Sequence, residues 1–246
     1  YVADDFLART GPRIAERSID VGYRSRELPF WLGKLGLEKS QIAVGFERVA
    51  REHGLATDIS IKESDRIYGE AWPAFLADCR AVLGTETGAS VIDFTGEIRR
   101  KTDKHVADHP DATFEEVHAL FFRDVDGLYR FEQVSPRHFD GACMKTGKIL
   151  FEGNYSGVLQ PWLHYLPLRK DFSNAAEVVA ALRDHGRMQD MVDRAREEIA
   201  ENPRYHFRHL IQLLSEAIQG AFARSQRAPV ANAYSEFAFK RAPTLP

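Results

Sequence analysis

Between residues 19 and 90 short apolar runs alternate with longer amphipathic segments, and this alternation restricts the fold more than any other feature. Ile19-Asp20-Val21-Gly22-Tyr23 reads as a first strand. After a turn-rich loop over residues 24–38, residues 39–53 read as a helix. Ile42, Val44, Phe46, Val49 and Ala50 supply its apolar face and Gly54 its stop. Thr57-Asp58-Ile59-Ser60-Ile61 reads as a second strand. Residues 72–80 read as a helix with Phe75 and Leu76 inward, and Ala81-Val82-Leu83 as a third strand. Strand, helix, strand, helix, strand is the signature of a parallel sheet flanked by helices. The third strand runs into a glycine-rich loop, Gly84-Thr85-Glu86-Thr87-Gly88-Ala89-Ser90.

The pattern resumes around residues 131–157. Ser135 suits a helix N-cap and Pro136 the first helical position, which places Arg137 and His138 in the first turn. Backbone N–H groups there lack intrahelical partners, and together with the positive end of the helix dipole they attract phosphate. The same residues also describe an ordinary, well-capped α/β unit. Gly147 is placed as the helix stop, Lys148-Ile149-Leu150-Phe151-Glu152 as a buried strand, and Gly153 and Gly157 as brackets of the loop at its end. In open α/β sheets ligands bind at that edge. Residues 98–125 are charged and helical in pattern, with Thr113 and Glu116 spaced as a capping box. A further strand is expected around residues 165–168, a helix capped by Asn174 and Glu177 after it, and helices over 188–200 and 205–222. The tail beyond Ser225 is rich in alanine and proline and has no clear period.

Composition removes several classes of function. The chain has 246 residues, 44% hydrophobic and 28% charged, as in a globular protein with a sizeable core. A net charge of -3 leaves no electrostatic footprint for nucleic acid. No apolar run reaches membrane-spanning length and no signal peptide is visible, so a cytoplasmic location is expected. Cys79 and Cys143 lie in apolar contexts and read as buried free thiols. His105 and His109 share one helix face, with Asp103 and Asp108 nearby, a spacing that suits zinc. No third ligand pattern accompanies them and Pro110 follows at once, so a solvated helix end is the preferred reading and no metal site is expected.

The run SPRHFDGACMKTGKILFEGNYSGVLQP, with HYLPLRKDFSN after it, resembles the C-terminal lobe of bacterial glycosyltransferases of the GT-B type, in the group 1 that includes the CgeB-like proteins. Asp140 stands where that pattern usually has glutamate, and Lys145-Thr146-Gly147 where it more often has Cys-Gly-Thr. The resemblance runs from about Ile19 to about Arg208. It implies a Rossmann-like, donor-binding lobe over residues 19–200, preceded by a linker or interlobe segment over 1–18 and followed by a C-terminal helix and tail over 201–246. The chain begins at Tyr1, and the resemblance implies that an N-terminal acceptor lobe belongs with it.

The implied reaction moves a sugar from a nucleotide-sugar donor to an acceptor hydroxyl without a required cofactor. The acceptor, whether glycan, lipid or protein, stays open, as does peripheral association with a membrane. The resemblance assigns the donor diphosphate to Arg24, Arg26 and Lys39 after the first strand and to the helix start at Ser135, Arg137 and His138. An arginine fork suits that charge. It also implies roles for Gly88 and Ser90, whose loop lets backbone amides approach a phosphate closely, and for Tyr155 and Ser156, in a loop closing over the donor. Glu132 and Asp140 are spaced E-x7-D. In relatives the second acid holds the ribose hydroxyls and the first contacts the sugar, so Asp140 is the ribose candidate, and Glu132 and Glu86 are the catalytic candidates that orient the sugar. The rival reading is a non-catalytic module that binds nucleotide-sugar without turnover.

Overall fold

Five strands form one wholly parallel sheet: β1 (Ile19–Arg24), β2 (Thr57–Ser60), β3 (Cys79–Gly84), β4 (Gly147–Phe151) and β5 (Leu166–Leu168). Their order is β2-β1-β3-β4-β5. Val21 pairs with Thr57, Ala81 with Gly147 and Ile149 with Leu166. Helices flank the sheet, so the fold is α/β and Rossmann-like, with a helical C-terminus. This computed structural model describes residues 1–129 and 131–227. It divides into two units, Tyr1–His206 and Phe207–Pro246.

The helices are α1 (Asp4–Leu7), α2 (Lys34–His53), α3 (Ala71–Asp78), α4 (Glu97–Asp108), α5 (Phe114–Phe121), α6 (Pro136–Cys143), α7 (Ala175–Arg183), α8 (His185–Ala195) and α9 (Phe207–Arg227). On one sheet face Ile42 and Phe46 of α2, Val178 and Leu182 of α7 and Val192 of α8 pack on Val21, Leu83, Ile149 and Leu166. On the other face Phe139, Ala142 and Cys143 of α6 pack on Leu150, while Phe75 and Leu76 of α3 pack on Val82. Strands covered on both faces are buried at every position, and so all five residues of β4 are buried, Lys148 included. Burying each large side chain here stabilises by about 1.5–3 kcal/mol. Helices α4 and α5 form a satellite core of Val91, Phe114, Val117 and Phe122 against Phe30 and Ile98. Thr113 caps α5 by accepting from Glu116 N at 3.3 Å.

Because β3 lies on the opposite side of β1 from β2, the chain leaves β1 one way and β3 the other. The diverging loops open a crevice at the carboxyl edge of the sheet. Residues 1–18 belong to the same unit as the sheet. Arg17 anchors them: it is 2% exposed and donates to the carbonyls of Pro12, Leu76, Cys79, Met144 and Lys145 and to Thr146 Oγ1.

Several local expectations need correction. Helix α2 begins at Lys34, not at residue 39, because Gly33 takes φ +78° and turns the chain into it. Val44 is 59% exposed, since two residues from Ile42 and Phe46 a helical position turns away from their face. Gly147 is no helix stop: Lys145 makes the left-handed turn at φ +50°, and Gly147 opens β4. A Cβ at position 147 would lie 2.7 Å from the Arg80 carbonyl, so the strand needs glycine there for packing. Asn174 makes no side-chain cap. It accepts from Arg169 N at 2.9 Å and donates to Pro167 O at 2.8 Å, tying α7 to the end of β5. The helix expected over 188–200 is α8 followed by a π-turn, Arg196–Ala200.

The second unit is described as far as α9, in which Phe207, Ile211, Leu214 and Ile218 recur at alternating steps of four and three down one face. From residue 228 the alanine- and proline-rich tail lies outside the described residues. Among the described residues no helix is long and apolar enough to cross a membrane.

Candidate functional site

A cavity of about 690 Å³ opens at the carboxyl edge of the sheet. Its walls come from residues 5–9 at α1, the end of β1 with the loop after it, Lys39 of α2, the loop from β2 with the start of α3, and the start of α6. Six cations border it, namely Arg9, Arg24, Arg26, Lys39, Arg66 and Arg137, against three carboxylates, Asp5, Glu70 and Asp140.

The cations differ in what already holds them. Arg24 Nη2 lies 2.7 Å from both Asp58 oxygens, and Nη1 donates to the carbonyls of Tyr23 and Asp58. Arg9 pairs with Glu70 through two bonds of 2.7 and 2.9 Å. Arg66 pairs with Glu63 at 2.8 Å and stacks on Tyr68. Arg26 reaches Glu63 only at 3.8 Å, and both side chains are solvated. Arg137 donates to the Arg24 carbonyl at 2.7 Å and lies over the Trp72 ring. Lys39 has no ion pair among the described residues. Burial, then Arg137, then Arg26 push its ammonium below the usual lysine range. Lys39, Arg26 and Arg137 therefore form a cluster whose mutual repulsion an anion would relieve.

The start of α6 adds the positive end of a helix dipole, although Pro136 has no N–H and that of Ser135 is spent within the turn. Ser135 N–H bonds to His138 Nδ1 at 3.2 Å, which fixes the first turn, and Ser135, Pro136 and Arg137 face the cavity. Asp140, one turn on, takes the Trp72 indole N–H on Oδ2 at 3.0 Å. Burial raises its carboxyl above the usual range, and the Trp72 bond and Arg137 oppose that.

Of the residues singled out from the sequence, Arg24, Arg26, Lys39, Ser135, Arg137 and Asp140 line this cavity. The others lie elsewhere. Glu86 is 6% exposed and accepts from Asn154 N at 2.8 Å and Tyr155 N at 3.0 Å, so it clamps the loop after β4. The Tyr155 hydroxyl donates to Phe151 O at 2.6 Å inside the core. Ser156 Oγ accepts from Val134 N, and Ser156 N donates to the Glu132 carbonyl at 2.8 Å. Ser90 Oγ accepts from Leu35 N at 3.2 Å, and Gly88 takes φ +121° against Phe131, so that loop braces the start of α2. His138 is buried behind the α6 turn.

Sequence reasoning missed Arg66, Tyr68 and Trp72. Arg66 and Tyr68 reach the cavity on a loop without periodicity, and Trp72 reaches it from the first turn of α3. The exposed Tyr68 among the turn residues of that loop is the one signal that could have found them. His105 Nε2 lies 3.2 Å from Glu116, its ring stacks on His109, and His109 Nδ1 lies 3.1 Å from the His105 carbonyl. Among the described residues no group of three or more His, Cys, Asp or Glu side chains is placed to hold a metal. Cys79 and Cys143 are free and buried, and burial pushes their thiols up to about 12 and about 11. Thiols so protonated are poor nucleophiles. No protein-family model matches this sequence, and no curated protein matches it significantly.

Proposed function

We propose that this chain is the donor-binding lobe of a GT-B glycosyltransferase, which transfers a sugar from a nucleotide-sugar to an acceptor hydroxyl. One observation carries the donor class. Lys39, Arg26 and Arg137 face one cavity beside the N-terminus of α6, at the edge where an open parallel sheet binds ligands. A diphosphate leaving group needs that concentration of fixed positive charge, and a preorganised set of cations stabilises it without a metal. Asp140, beside the same turn, is the ribose candidate. The transfer chemistry itself rests on the likeness of the SPRHFD and EGNYSG segments to that family.

A second reading has a specific observation in its favour. Glu86 is committed to two backbone amides and Glu132 lies outside the cavity wall, so neither catalytic candidate lines the cavity. The chain alone would then bind nucleotide-sugar without turnover, and an acceptor lobe would supply the base. Calorimetry against UDP, GDP and ADP, beside a donor-hydrolysis assay, tests both readings. Micromolar binding of one nucleoside diphosphate is expected. No binding by any of them sinks the proposal, and binding without hydrolysis selects the module.

A further inference from the structure

Beneath the cationic cavity lies a chamber of about 10 Å³, room for a single oxygen atom. Arg24, Trp72 and Arg137 belong to both walls, and Tyr23, Phe75, Val82, Leu83 and His138 close the far side. Two N–H donors of its lining residues are buried without a partner among the described residues: Arg24 Nε and His138 Nε2. Every other nitrogen of the Arg24 guanidinium is bonded, which leaves Nε as its unmet donor. His138 Nδ1 accepts from Ser135 N–H, so the neutral ring carries its proton on Nε2. Burial, reinforced by Lys148 and Arg137, keeps that ring neutral, its pKa pushed down to about 3. Gly84 leaves Nε2 its space, since a Cβ there would lie 2.8 Å from it. Phe75, Val82 and Leu83 side chains offer no acceptor, and the Tyr23 hydroxyl bonds with Ser25 and meets neither donor. Each buried donor left unmet costs about 1–3 kcal/mol, so the chamber calls for one small acceptor atom.

We propose that this chamber is a phosphoryl-oxygen subsite, in which one terminal oxygen of the ligand's diphosphate accepts from His138 Nε2–H and Arg24 Nε–H. The proposal rests on the cavity above being a diphosphate site. It makes His138 a ligand-binding residue through its hidden nitrogen, distinct from the capping role of Nδ1.

Inorganic pyrophosphate is the probe, titrated into the full ¹⁵N-labelled chain at pH 7. The His138 imidazole resonance is assigned by its loss in His138→Asn or His138→Gln. It should show the Nε2–H tautomer, and the nitrogen and its proton should move downfield as pyrophosphate saturates. His138→Asn keeps an acceptor for Ser135 N–H but removes the Nε2 donor, so its pyrophosphate affinity should fall about tenfold or more. If wild type binds pyrophosphate while the resonance stays fixed and His138→Asn binds equally well, the chamber holds water only and the subsite is overturned. If wild type does not bind pyrophosphate at all, the diphosphate reading of the cavity falls and the subsite with it. Should His138→Asn fail to fold, the movement or stillness of the wild-type resonance decides.

Discussion

Arg24 holds Asp58 through both carboxylate oxygens, with Nη2 2.7 Å from each, and this pair leaves Arg24 only its Nε to offer an anion. Arg24 is fastened to β2 and to the Phe75 ring, whereas Lys39 faces two arginines and no acid of its own. The division predicts opposite behaviour. Lys39→Met removes repulsion, so thermal unfolding should show unchanged or raised stability while nucleoside diphosphate affinity falls about tenfold. Arg24→Met should cost about 1 kcal/mol of stability through the lost ion pair and ring contact, besides the diphosphate contact of its Nε–H. Denaturant titration paired with calorimetry on both variants separates the roles. Equal loss of stability in the two would refute the division.

The parallel sheet was legible because its strands are short and buried on both faces, so β1, β3 and β4 stand out as apolar runs between helical patterns. The start of α2 was not. Gly33 and the turn residues before it look like loop, and only the packing of Gly33 against Ser90 shows that the helix begins there. The cations after β1 and at the start of α6 were legible because a strand end and an N-cap are local signals. Arg66 and Tyr68 were not, since the β2–α3 loop that carries them has no period, and Trp72, although at a legible helix start, is brought to the cavity by the fold alone. Glu86 and Tyr155 were legible as loop residues, but their bonds join segments far apart in the chain, which no spacing rule reveals.

Glu86 separates a sugar contact from a structural clamp. Its Oε1 serves two backbone amides, and a Cβ at Gly153 would lie 2.7 Å from its carboxyl carbon, so loop and carboxylate fit closely. Glu86→Ala leaves both amides without an acceptor and should destabilise by about 2–4 kcal/mol. Nucleoside diphosphate affinity of the folded fraction should not change. Chemical denaturation with binding measured below the transition checks this. A variant of normal stability with impaired donor handling would restore the sugar-contact reading.

Arg17 carries a charge into the interior with no carboxylate bonded to it, held by carbonyls and one hydroxyl. Burial lowers its pKa to about 10, still well above neutrality, so it stays charged. Arg17→Met strands those acceptors and should cost at least about 3 kcal/mol, with residues 1–18 losing protection first. Hydrogen exchange read by mass spectrometry checks the order of loss. Unchanged protection of that segment would show that Ile14 and Val2, not Arg17, anchor it.

Lys148 is the opposite case, a buried amine with no partner among the described residues, packed between β4 and α6. Gly141 makes room for it, since a Cβ there would approach Lys148 Cε to 3.3 Å. Burial pushes its pKa from 10.5 down to about 8. Between those values the unfolded chain holds a proton that the folded chain has released, so Lys148 makes the protein more stable as pH rises from about 8 to 10.5 and adds nothing further below 8. Across that window the effect is about 3 kcal/mol. The raised thiols of Cys79 and Cys143 act against it above pH 9, so the informative quantity is the difference between wild type and Lys148→Met. Lys148→Met should be more stable by about 1–3 kcal/mol at pH 7.5, with the advantage vanishing near pH 10.5. Urea unfolding at a series of pH values measures it. An advantage that stays constant with pH would mean that the gain comes from packing and that the amine is not desolvated in the fold.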